Sequence, residues 1–135
     1  MEETRYGLRI DSALPFEAAL EQTTAALKAE GFGVLTSIDM QATLKQKLDR
    51  DFRKYVILGA CNPTLADRAV HAELEIGLLL PCNVIVYERD NGQSSVAAMA
   101  PLPTIGMIGN AELEGVAREA DAKLRRALEA VERQA

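Results

Sequence analysis

The dipeptide Cys-Asn occurs twice in this 135-residue chain and accounts for both of its cysteines. One copy lies in Gly59-Ala60-Cys61-Asn62-Pro63 and the other in Leu80-Pro81-Cys82-Asn83. Each sits in or at the end of an apolar run, where a thiol beside an amide is unusual polar chemistry. Cys61, Asn62, Cys82 and Asn83 are therefore the expected ligand-binding residues. A reactive thiol needs a positive neighbour, a helix N-terminus or a partner base. Cys61 directly precedes Asn62-Pro63, which reads as a helix start, because Asn accepts from free amides at the cap and Pro suits the first turn. The free amides there favour a thiolate, whereas an apolar setting more commonly holds cysteine as a small buried hydrophobe.

The two amides differ. Asn62 has a structural duty as a cap. Asn83 stands in a run of Leu and Val, where an unsatisfied buried amide costs about 1–3 kcal/mol. It is expected either to bond backbone freed by Pro81 or to face a small ligand.

Other chemical templates are poorly matched. The single histidine, His71, lies between Arg68 and Glu73 on an expected helix and reads as a solvated residue. A zinc site recruits three or four closely spaced ligands, so no metal and no cofactor are expected. No glycine-rich phosphate loop of either usual spacing is present, and Gly31-Phe32-Gly33 follows a helix instead of opening one. No serine lies in a nucleophile elbow. The carboxylate pairs Glu73/Glu75 and Glu112/Glu114 read as solvent-facing charge. No catalytic residues are assigned.

Composition narrows the class. At 14.7 kDa, with 48% hydrophobic and 26% charged residues, the chain is the size of one domain, residues 1–135, able to close a single core. Trp is absent and only three Tyr and three Phe occur, so Leu, Val, Ile and Ala must build that core. A net charge of −5 without a cluster of Lys or Arg disfavours nucleic acid. No apolar run approaches bilayer length and the N-terminus does not resemble an export signal. A cytoplasmic setting with reduced thiols and no membrane partner is the expectation.

The elements that must position the two pairs follow from periodicity. Strands are expected over residues 6–10, 33–39, 55–60, 77–87 and 95–100, with a bulge or edge at Pro81 and an Asn91-Gly92 hairpin turn before the last. Helices are expected after Pro15, capped by Asp11 or Ser12, over residues 40–48 with Asp39 as cap, from Asn62, and from Asn110 to the C-terminal end. Phe52 is expected as a buried anchor in a polar connection. Residues 101–109, apolar and rich in Pro and Gly, read as a loop that folds over the core or covers a pocket or subunit contact. The order gives an α+β fold with a single mainly antiparallel sheet and helices mostly on one face. With a strand starting at Gly77 and paired antiparallel to residues 55–60, Cys82 lies roughly 15 Å from the level of Cys61, and no disulfide forms. A parallel pairing would bring the two closer.

Three segments together, Gly31-Phe32-Gly33, Ile57-Leu58-Gly59-Ala60-Cys61-Asn62-Pro63 and Gly77-Leu78-Leu79-Leu80-Pro81-Cys82-Asn83-Val84, resemble the DUF302 family, a domain of unknown function from bacteria and archaea. The resemblance covers nearly the whole chain. It implies a compact α+β domain of the TATA-binding-protein fold class, commonly found as a small dimer, and it disfavours the parallel pairing. The fold name carries no DNA-binding inference. The expected function is a small binding or assembly domain, a homodimer, with a small-molecule pocket bounded by the two Cys-Asn segments and residues 101–109. The alternative is a thiol-dependent enzyme or redox protein using Cys61.

Overall fold

Alternation along four strands sorts the side chains into a core face and an open face, and that division places everything else. In the computed structural model, which describes residues 1–134, the strands are β1 (Glu2–Glu3), β2 (Gly7–Ser12), β3 (Gly33–Asp39), β4 (Tyr55–Cys61), β5 (Cys82–Glu88) and β6 (Ser94–Met99). They form one antiparallel sheet in the order β1-β2-β6-β5-β4-β3. Leu8 and Ile10, Val96 and Ala98, Val84 and Val86, and Leu58 and Ala60 are buried on one face, as a period of two requires when a single face is covered.

The cover is helical. α1 (Phe16–Ala29) and the long α5 (Ala111–Glu132) pack against that face and against each other, and α3 (Pro63–Ala72) and the short α4 (Pro101–Ile105) pack against α5. α5 contributes Leu113, Val116, Ala117, Ala120, Leu124, Leu128 and Val131 to the core, one stripe at helical spacing. α2 (Met40–Leu48) connects β3 to β4 and buries none of its residues. The fold is thus α+β.

Local sequence explains most element ends. Asp39 caps α2 by accepting from the amide of Ala42 at 2.9 Å, and Asn110 caps α5 by accepting from Glu112 at 3.0 Å. Ser12 serves differently from expectation: its hydroxyl accepts from the amide of Leu14, and α1 begins after Pro15 without a side-chain cap. Phe52 is exposed, not a buried anchor; its ring tilts against Tyr55, 5.9 Å between centroids.

Two segments fold otherwise than their composition suggests. The apolar run before Pro81 is a 3-10 helix, Leu74–Leu79, and the strand starts only at Cys82. Pro81 therefore marks a boundary, not a bulge, because it cannot donate to the ladder and restricts the residue before it. The expected loop 101–109 is α4 followed by a 3-10 turn, Gly106–Ile108. Pro101 and Pro103 fit there because first-turn amides have no helical acceptor.

Candidate functional site

β4 ends at Cys61 and β5 begins at Cys82, and antiparallel register sets Ala60 opposite Cys82. Cys61 is thus one residue from direct register with Cys82. The separation of roughly 15 Å expected from sequence does not occur, because residues 77–81 lie outside the strand. Both thiols are free; Cys61 is half-buried, while Cys82 retains 6% of its exposure. Burial, and secondarily the nearness of Cys61, pushes the Cys82 thiol up to about 11.

The two cysteines line one cavity of about 260 Å³ between the core face of the sheet and helices α3, α4 and α5. Phe32 and Leu80 close it from the strand ends, Leu65 from α3, Ile105 from α4, and Val116 and Ala120 from α5. The lining is almost wholly apolar. Among the described residues no charged side chain borders the space.

Asn62 builds the cavity's edge. Its Oδ1 accepts from the amide of Leu65 at 3.2 Å, capping α3, and its Nδ2 donates to the carbonyl of Glu30 at 3.5 Å. One amide side chain therefore ties the start of α3 to the turn after α1. Gly31 in that turn has φ +86°, and a Cβ there would come within 3.0 Å of Asn62 Nδ2. The left-handed backbone favours glycine there, and any side chain would also crowd the Asn62 amide. The next residue, Phe32, is consequently placed in the cavity wall, and Gly33 pairs with Cys61 across β3 and β4. The three motif segments thus meet around a single space.

The profile of the family described as "Domain of unknown function DUF302" matches residues 8–131. The chain belongs to the DUF302 family. A crystal structure of an uncharacterized conserved DUF302 protein from Bacillus stearothermophilus is similar to it, with 29% sequence identity, a TM-score of 0.87, and coverage of 95% of this chain and 99% of that one. No curated protein matches.

Within this DUF302 domain the four expected site residues divide. Cys61, Asn62 and Cys82 border the cavity; Asn83 does not. Alternation turns Asn83 to the open face of the sheet, where it is exposed and lines a shallow depression with Tyr6, Tyr55, Ile85 and Met99. His71 is exposed on α3, with its Nδ1 2.8 Å from the carbonyl oxygen of Asp67, in an open polar cleft with Arg68 and Glu112 that includes neither cysteine. Arg68 in turn pairs with Glu112 and Glu119, joining α3 to α5. Among the described residues no three His, Cys, Asp or Glu side chains converge to hold a metal ion, and no helix is long and apolar enough to cross a membrane.

Sequence reasoning named the polar rim of the cavity and residues 101–109, which supply Ile105, and missed its other apolar walls. Of those, Phe32 alone carried a signal, a large aromatic held between two glycines. Leu65, Val116 and Ala120 look like any core residue on a helical stripe.

Proposed function

We propose that this DUF302 domain binds a small apolar ligand in the cavity behind the two cysteines. The observation that carries this reading is the cavity itself: about 260 Å³ with no charged side chain of the described residues on its border. An apolar space of about 150 Å³ stays dry and takes up benzene, and drug-sized ligands occupy roughly 300 Å³ or more. A space between these suits a single ring or a short alkyl group. Titration of isotopically labelled protein with toluene tests it. The expected result is saturable shifts confined to Phe32, Leu65, Ile105 and Val116, lost when Ala66→Leu fills part of the space. Shifts scattered over the surface, or none, contradict it.

The domain also assembles as a homodimer through the open face of its sheet. What supports this is the charge pattern. Tyr55, Ile57, Ile85, Tyr87, Ala97 and Met99 alternate onto that face, and the charged pair Arg9 and Asp11 lies at the β2 side. An uncharged centre meets a second copy of itself without like-charge repulsion, as a two-fold contact requires. Asn83 then belongs to the subunit contact. Light scattering is expected to give twice the chain mass, falling to one chain in Ile85→Lys. A wild-type protein that is monomeric at all concentrations contradicts it. Two free thiols fit a reducing, cytoplasmic setting.

A further inference from the structure

We propose that Cys61 and Cys82 form a dithiol site for a soft, thiophilic centre carrying one small apolar group. This deepens the pocket reading and rests on it. The register that sets Ala60 opposite Cys82 brings Cys61 beside the same strand end, and both cysteines border the same cavity. Cys61 is the last residue of β4, paired with Gly33, and the cap of α3 follows at Asn62; the shared cavity border and the nearness of Cys61 to the Cys82 thiol are what bring the two cysteines together. Cys82 is more than nine-tenths buried, borders the cavity and has no hydrogen-bond partner among those found for the described residues. Its burial raises its thiol to about 11, so it stays protonated at neutral pH, and the half-buried Cys61 is the more accessible of the two.

The chemistry of the walls selects the class of ligand. Two sulfurs are too few for zinc, which takes four ligands or three with an open position. An ionic complex left in an apolar space would also be costly to desolvate. A trivalent organo-element oxide avoids both difficulties. With phenylarsine oxide the two thiols each form a bond to arsenic, the arsenic–oxygen bond breaks, and the oxygen leaves as water with both thiol protons. No electron is transferred. The product is neutral, and its phenyl group has the apolar cavity beside it.

Phenylarsine oxide is accordingly the probe, used on the full chain and followed by intact mass and by alkylation of remaining thiols. The expected result is one phenylarsenic group per chain with loss of one water, both thiols protected, and release by excess small monothiol roughly 10²-fold slower than from Cys61→Ala or Cys82→Ala, because two linked attachments hold more firmly than one. Chelation should also quicken as pH rises toward the Cys82 range. Release from wild type as fast as from the single variants, or a thiol that still alkylates in the adduct, overturns the proposal. Toluene titration of the same samples separates the two readings. Toluene binding without bridging refutes the dithiol site and leaves the pocket; bridging without toluene binding keeps the thiol pair and refutes the apolar-ligand reading.

Discussion

The same dipeptide stands at Cys61-Asn62 and Cys82-Asn83, and the two copies have opposite fates. In the first, the strand ends between the residues, so the chain turns and both border the cavity. In the second, the strand begins at the cysteine, so alternation buries Cys82 and exposes Asn83 on the other face. Role therefore follows from where a strand stops, not from which residues are adjacent. Asn62 is held by two hydrogen bonds to neighbouring elements; none involves the Asn83 side chain among those found for the described residues.

The largest expected consequence separates the cysteines. The folded state holds the Cys82 thiol near 11 against a reference of 9.0, so the folded protein keeps a proton that the unfolded chain releases. The associated stability is fully present below pH 9 and is lost as pH rises to 11, amounting to roughly 3 kcal/mol. Denaturant titrations across this range should show that loss in wild type and in most of its extent in Cys61→Ala, since burial is the main cause, whereas Cys82→Ala should keep only the smaller alkaline loss expected of Tyr55, whose phenol burial also raises. An alkaline loss in Cys82→Ala as large as in wild type would contradict the assignment of that loss to Cys82.

Gly59 comes next, because the two segments touch there. It pairs with Asn83 on one side and Thr36 on the other. A Cβ on Gly59 would lie 2.1 Å from Thr36 Oγ1 and 2.9 Å from Pro81 Cγ. The threonine hydroxyl can rotate away and the proline ring cannot, so Gly59→Ala is expected to cost about 2 kcal/mol, with part recovered in Gly59→Ala combined with Thr36→Ala. Chemical denaturation measures both.

The asparagines sharpen the contrast with smaller effects. Asn62→Ala removes a cap and a link to the Glu30 carbonyl and should cost about 1–2 kcal/mol. Asn83→Ala removes an exposed side chain and should stay within about 0.5 kcal/mol in the monomer. Equal losses would mean that capping is not what holds Asn62.

How far the sequence discloses this arrangement depends on the kind of signal. The bounds of β3 and α2, the caps Asp39, Asn62 and Asn110, and the covered face of the sheet all follow from local chemistry: a side-chain oxygen before free amides, or a period of two. The start of β5 does not. Leu74–Leu79 is as apolar as a strand, and in so short a run periodicity cannot tell an extended segment from a 3-10 turn. That one boundary shifts the register between the cysteines and thereby hides the site. Residues 101–109 mislead for a related reason, since two prolines suggest a loop yet are tolerated in the first turn of α4. Apart from Ile105, in the segment expected to cover a pocket, the cavity walls were illegible because they come from strand ends and separate helices, whose meeting point is a property of packing and not of any local pattern.

The most direct test of the central claim, that the three motif segments enclose a ligand-sized apolar space, is a crystal structure of the protein exposed to a small apolar probe such as toluene. The account predicts ordered density for the probe between Phe32, Leu65, Ile105 and Val116, within reach of Cys61 and Cys82. Density only in the depression beside Asn83 and Tyr55 on the open face, with side chains filling the space behind the cysteines, would contradict it.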